Sequence, residues 1–384
     1  MDSVKFETFI IFQHSNGVGH VTRCSTLAQS LTSISSVTMF SGGPPIADYS
    51  PPPGVDFIQL PATRWDLAAD ARPVPVDAGY TLDEVDRVRS KILVDRYLRV
   101  KPRVIVIDYF PFGPQRFGKA LNALLDILEK EPRRPITISS IRACPSAKLW
   151  DTEIPAKWVN RQLFEKFSGV FHHADPNLFP LPSLGSYVAS ALSGISVWQT
   201  GFIRRPFKKL DQIGPSNGLL LTVGGGSALG ARLLKRWVKA AKAGSSGVFP
   251  VNVVCGAMMS ARDRESVRAE QDVNVTVHDY VGVMDELIAS SRAVVCLGGY
   301  NTLVEALSLS KPVLAFPNSE LGDQALQVAG LYSKGMLLTG DQSFTDSEIT
   351  AAMNRLLDFR PKHSIDCNGA ARSVEVIKSL VAAS

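Results

Sequence analysis

The chain has 384 residues, 45% of them hydrophobic and 20% charged. That is enough apolar material for two or three folded domains and too little charge for a disordered chain. A net charge of +5 suits a neutral or anionic small ligand and argues against a nucleic-acid platform, while 29 Gly and 24 Pro exclude collagen-like and linker-like chains.

The amino end lacks a basic start, and its apolar run TFIIF is too short for the core of a signal peptide. No apolar run reaches the length of a membrane span. Cys24, Cys144, Cys255, Cys296 and Cys367 are scattered, without a CxxC pair, which reads as reduced thiols. The expectation is a soluble cytoplasmic protein, monomer or homodimer, with contact to a membrane surface left open.

Short apolar runs then alternate with longer amphipathic segments, the pattern of βα units around parallel sheets. Strands are predicted at 8–13, 36–40, 56–60, 104–107, 136–140 and 169–172, with helical periodicity at 21–31, 82–99 and 115–128. Residues 42–53 and 71–79 are rich in Pro and Gly and read as loops. A second series of strands follows at 218–223, 251–255, 273–277, 293–297 and 312–316. The fold class expected is α/β, with two doubly wound, Rossmann-like domains facing across a cleft. Residues 1–202 form the first domain, 203–217 a linker and 218–365 the second. A helix within 366–384 is expected to pack back on the first domain.

Four loops follow predicted strands and open helices, where α/β proteins place their ligands. The first, FQHSNGVGHVTRC, has Gly17 and Gly19 to free the backbone and His20 at the mouth of a helix; His14 is a second candidate base. The dinucleotide fingerprint fails there, because Thr22 stands where its third glycine belongs, so a dehydrogenase is disfavoured. The second loop, LLLTVGGGSALG, offers the backbone N–H groups of Gly224, Gly225 and Gly226, with Ser227, as an anion cradle. No Walker lysine follows. The third, CLGGYNTLVEAL, repeats the strand–Gly–Gly–helix junction at Gly298 and Gly299. Asn301 and Thr302 follow for phosphate oxygens, and Glu305, one turn on, is in reach of a ribose diol. The fourth puts Asp323 and Gln324 at the start of a helix, where they suit either a sugar's hydroxyls or a cap.

In this order the segments FQHSNGVGH, VIVIDYFPFG, ISSIR, HHADP and CLGGYNTLVEAL resemble those of GT-B glycosyltransferases. The similar branch holds the peptidoglycan N-acetylglucosaminyltransferase and the natural-product and plant UDP-sugar transferases. Nearer still is a bacterial group described as predicted glycosyl transferases. The resemblance implies that the second domain binds a nucleotide diphosphate sugar. Tyr280 and the Val281 backbone would meet the base, and Glu305 the ribose. The Gly224–Ser227 and Gly298–Thr302 loops would hold the diphosphate, and Asp323 and Gln324 the sugar. In the first domain it implies His20 as general base, oriented by Asp108, with the acceptor bound nearby. The Trp- and His-rich start of the plant signature is missing, so the nucleobase and sugar are not inherited from that group.

The chemistry fits this reading. Two glycine-opened helix N-termini can stabilise a leaving diphosphate, and no Asp-x-Asp pair occurs, so no metal and no cofactor beyond the donor are expected. Leu297 stands eight positions before Glu305, where retaining GT-B enzymes carry a second Glu, so inversion at the anomeric carbon is expected. Arg142 and His173 are candidate acceptor contacts, and the segments at 42–53 and 61–80 candidate walls of its site. The competing classes are a nucleotide-sugar 2-epimerase or hydrolase of the same fold, and a silent nucleotide-sugar-binding protein.

Overall fold

The computed structural model describes residues 5–14, 18–46, 49–66, 72–113, 118–145, 153–207, 218–244, 249–318 and 322–384. The chain divides into two compact units, Met1–Arg205 with Asn368–Ser384, and Pro206–Cys367.

The first unit begins β1 (Phe6–Phe12), α1 (Gly19–Leu31), β2 (Ser35–Ser41) and β3 (Val55–Gln59). A hairpin, β4 (Thr63–Asp66) with β5 (Arg72–Pro75), and α2 (Leu82–Val100) follow. The unit continues through β6 (Val104–Asp108), α3 (Gly118–Leu128), β7 (Ile136–Arg142), α4 (Glu153–Lys166), β8 (Gly169–His173), α5 (Ser186–Ala191) and β9 (Val197–Gln199). Seven strands form one parallel sheet in the order β3-β2-β1-β6-β7-β8-β9. β6, VIVID, is buried along its whole length, as a strand covered on both faces must be. Alternate side chains divide between two layers. Ile10, Phe12, Val104 and Val106 pack with α1 and the last helix of the chain, α12 (Gly369–Ala383). Phe9, Ile11, Ile105 and Ile107 pack with α2 and α3.

Part of the predicted loop at 71–79 is β5, paired antiparallel with β4. Its two prolines sit in an isolated two-stranded ribbon, where a missing N–H is tolerated and the Pro content misleads. Of the helix predicted at 115–128, residues 118–128 are helical and 115–117 lie outside the described residues. Arg89 of α2 is buried and donates to the carbonyls of Pro61 (2.7 Å) and Gly42 (2.5 Å), tying together the loops after β3 and β2. Gln59 adds bonds to the carbonyls of Ser41 and Gly43.

The second unit runs β10 (Gly218–Thr222), α6 (Ala228–Ala243), β11 (Val251–Val254), α7 (Ala261–Arg268), β12 (Val275–His278) and α8 (Asp285–Ser290). It ends β13 (Ser291–Cys296), α9 (Tyr300–Ser308), β14 (Val313–Ala315), α10 (Gly322–Ser333), β15 (Leu338–Thr339) and α11 (Asp346–Asp358). Its sheet is parallel, in the order β12-β11-β10-β13-β14-β15. Trp237 of α6 is fully buried in its core beside Phe316. Thr345 and Glu348 form a reciprocal capping box that starts α11. Of the linker expected at 203–217, residues 208–217 lie outside the described residues. No helix among the described residues is long and apolar enough to cross a membrane.

Candidate active site

In the first unit the sheet grows one way from β1 to β2 and β3, and the other way from β6 to β9. The loops leaving β1 and β6 therefore diverge, and open α/β sheets bind ligands at such a switch point. His20 follows β1 in the first turn of α1, and Asp108 is the last residue of β6. Nδ1 of His20 lies 2.5 Å from Oδ2 of Asp108. Arg23, three residues after His20 and on the same face of α1, donates to the other oxygen, Oδ1. Ser140, opposite Asp108 in the β6–β7 register, donates to Oδ1 over 3.5 Å.

Asp108 and Arg23 are buried, whereas the His20 side chain is 21% exposed. Burial alone would push the Asp108 carboxyl up, but Arg23 and His20 beside it hold it well below the usual carboxylate range. Burial also lowers the pKa of His20. Burial is the largest influence and outweighs the pull of Asp108, and Arg142 and Arg23 add to it by opposing another positive charge there. The ionised carboxylate requires a donor, so the hydrogen-bond network assigns the ring proton to Nδ1 and leaves a lone pair on Nε2. A neutral histidine held in this tautomer can accept a proton near neutral pH.

Neighbouring residues close around the pair. The Tyr109 and His20 rings meet edge-to-face at 5.8 Å between centroids, and the Arg142 guanidinium sits 5.0 Å from the Tyr109 ring centre. Tyr109 has φ +64°, a left-handed conformation uncommon for an aromatic residue. His173, at the end of β8, is buried with Nδ1 2.7 Å from Thr200 Oγ1 and Nε2 3.0 Å from Ser140 Oγ. It reaches Asp108 through Ser140 and is not open to a ligand. His14 is also buried. Its Nε2 donates to the Pro44 carbonyl at 2.8 Å, and burial lowers its pKa to about 4. Gly19 opens α1, and Gly17 lies outside the described residues. Among the described residues, no three His, Cys, Asp or Glu are grouped so as to hold a metal ion.

No motif legible in the sequence marks Arg23, Ser140 and Tyr109 as site residues. The spacing of His20 and Arg23 on a helix was the available signal for Arg23, and nothing local marked Ser140.

In the second unit the corresponding switch point lies between β10 and β13, and both glycine loops leave there. Gly224 and Gly226 have φ +65° and +87°, and a Cβ on Gly226 would lie 2.6 Å from the Cys255 carbonyl oxygen. Ser227 caps α6, its Oγ accepting from the Gly230 N–H at 3.1 Å. Gly225 accepts from the Met258 N–H at 2.7 Å, which braces the first loop against the segment after β11.

At the second junction Gly298 has φ +80°, and Gly299 is the N-cap of α9, with no side-chain cap hydrogen bond among the described residues. Asn301 and Thr302 are half-buried in its first turn, with Glu305 buried one turn on. Tyr280 is exposed and Val281 half-buried in the segment after β12. Asp323 and Gln324 are half-buried in the first turn of α10, and the amide oxygen of Gln324 is buried without a hydrogen-bond partner among the described residues.

Residues 220–375 match the glycosyltransferase family 28 C-terminal domain. No curated protein sequence matches the chain. Among solved structures, CalG4, the calicheamicin glycosyltransferase, is similar with a TM-score of 0.63 at 13% identity, covering 98% of each chain. MurG from Acinetobacter baumannii superposes with a TM-score of 0.57 at 15% identity, over 97% of this chain and 99% of that one. UGT89C1 from Arabidopsis thaliana, solved with UDP-L-rhamnose, gives 0.59 at 13% identity over 92% and 90%. The chain therefore has the GT-B fold of two Rossmann-like domains, and the match to the family 28 C-terminal domain falls on residues 220–375.

Proposed function

We propose that the protein is an inverting, metal-independent glycosyltransferase that moves a sugar from a nucleotide diphosphate sugar to a small-molecule or carrier-bound acceptor. The observation that carries this reading is the family 28 match over the unit whose two glycine loops share one switch point. The first unit takes the acceptor and the second the donor. The backbone N–H groups of the Gly224–Ser227 loop and of the α9 N-terminus receive the diphosphate, where the helix dipoles favour negative charge. Glu305 meets the ribose, Tyr280 and Val281 the base, and Asp323 and Gln324 the sugar. The Gln324 oxygen, buried without a hydrogen-bond partner among the described residues, supports the last assignment, since a buried acceptor asks for a donor such as a hydroxyl.

Nε2 of His20 removes the acceptor's hydroxyl proton as its oxygen bonds to the anomeric carbon from the face opposite the diphosphate. The bond to the diphosphate breaks, and its charge passes to the two loops. Asp108 keeps the Nδ1 proton in place and stabilises the imidazolium. UDP is the first nucleotide to try, because UGT89C1 was solved with a UDP-sugar. Specialised-metabolite biosynthesis is the setting we propose, by analogy with CalG4.

A thermal-shift series with UDP, GDP and dTDP tests the donor assignment, because a ligand that binds only the folded protein raises its melting point. One of the three should raise it clearly at millimolar concentration. Three flat responses would reject a nucleotide-sugar donor. Incubation with donor alone separates the alternatives: an epimerase converts the sugar and a hydrolase releases it rapidly, whereas a transferase waits for its acceptor.

A further inference from the structure

Asp108 carries two partners from the same helix, one on each oxygen, and only one of them has been given a task. Arg23 is 2% exposed and contacts a carboxylate whose side chain is fully buried. A buried guanidinium is tolerated where its charge is matched, and Asp108 matches it. The three-residue step from His20 to Arg23 puts both on one face of α1, so a single carboxylate at the end of β6 receives both.

We infer that Arg23 is a positioning residue of the site: by holding Oδ1 of Asp108 it keeps Oδ2 on Nδ1 of His20 and so maintains Nε2 as the unprotonated nitrogen. The inference rests on the reading of His20 as the base. Its physical content is a division of labour. A lone aspartate beside a histidine fixes the tautomer but also stabilises the imidazolium, which would hold the base protonated in the resting enzyme. With Arg23 on the second oxygen, the Arg23–Asp108 pair is neutral as a unit. Asp108 then directs the ring while Arg23 offsets part of its field at His20, and burial and Arg142 oppose the rest.

The other groups facing His20 act in the same direction or not at all. Arg142, from the end of β7, opposes a proton on the ring. His14 is neutral near pH 7 because burial lowers it to about 4, and the Tyr109 ring packs edge-to-face with His20. Burial keeps His173 neutral and the Cys24 thiol, also coupled to Asp108, protonated.

The test is a titration of the His20 ring by NMR in the full-length protein, whose six histidines allow assignment through a His20→Gln variant. Arg23→Met should raise the pH at which His20 titrates by about one unit, the lower end of the effect of one close charge, because Arg23 acts on the ring more weakly than Asp108 does. Arg23→Lys, which keeps the charge, should return it most of the way. An unmoved titration in folded Arg23→Met, or equal titrations in the Met and Lys variants, would overturn the inference.

If Arg23→Met does not fold, ring ¹⁵N shifts of wild type and Arg23→Lys decide. Lysine does not reproduce the position of the Arg23 Nη2 on Oδ1, so the Nδ1–H tautomer should dominate in wild type and weaken in the variant. An identical tautomer in both would overturn the inference. These readouts need no turnover, so an inactive wild-type protein with the expected titration would count against the glycosyltransferase reading alone.

Discussion

Nδ1 of His20 lies 2.5 Å from Oδ2 of Asp108, joining the first turn of α1 to the carboxyl end of β6 across 88 positions of chain. Removing the imidazole should separate chemistry from donor binding. We expect His20→Ala to lower turnover by about 10²–10⁴-fold and to leave nucleotide affinity unchanged, since the residue belongs to the first unit. Asp108→Asn should cost less, because it disturbs the tautomer and leaves the base in place. Turnover followed against pH, with calorimetry of nucleotide binding, checks both. Normal turnover of His20→Ala with an alcohol acceptor would end the general-base proposal.

The wild-type pH profile has a predicted sign. The pKa of His20 lies below its ordinary value of about 6.5, because burial and the nearby guanidinium groups outweigh Asp108. Turnover should therefore rise with pH on the acid side of about 6.5 and stay level up to neutral pH. A profile still climbing steeply between pH 7 and 8 would contradict a base that is already unprotonated.

Glu305 is buried in α9, one turn after the second glycine junction. Glu305→Gln keeps the shape and removes the charge. Loss of a charge-assisted bond to a ribose diol should weaken nucleoside diphosphate binding by about 1–3 kcal/mol. Calorimetry giving the same affinity in a variant that melts normally would refute the ribose assignment.

Adjacent glycines at the second junction should respond differently. At Gly298, φ is +80° and a Cβ would lie 2.5 Å from Cγ2 of Val328, so Gly298→Ala should destabilise the protein by about 1–3 kcal/mol. Adding Val328→Ala should recover part of that loss. Gly299 has φ −63° with open space around the added carbon, so Gly299→Ala should melt within a degree or two of wild type while binding nucleotide less well. Equal melting points for Gly298→Ala and Gly299→Ala would contradict this account.

Acid should destabilise the first unit before its carboxylates titrate. Burial lowers His14 and His172 to about 4, and His173 and His20 also lie below the ordinary value. In the unfolded chain these rings take up protons near pH 6.5, whereas in the folded protein they resist until lower pH. The stabilisation is therefore intact above about pH 6.5 and is lost as the pH falls towards 4, by about 3 kcal/mol for each of His14 and His172. Melting temperature recorded from pH 7.5 to 4.5 checks the slope, and no change between pH 6.5 and 5 would refute it.

Residues that act over a few positions of chain were legible without coordinates. The continuous apolar runs of β6 and β10 mark strands covered on both faces, because a parallel sheet leaves neither face to water. The four strand–loop–helix junctions follow from the same runs and from glycines that only a turn or a close approach would require. The hairpin strand β5 was not legible, because its prolines carry a turn signal that its isolated pairing overrides. The His20–Asp108 pair was named only through the resemblance, because spacing along the chain says nothing about a contact across 88 positions. Strand order decided that contact: it sets β6 beside β1, and so brings the helix after one strand to the end of the other. The same placement decided Arg23, whose charge reads locally as an exposed helical residue and becomes a buried partner only where the end of β6 supplies a carboxylate.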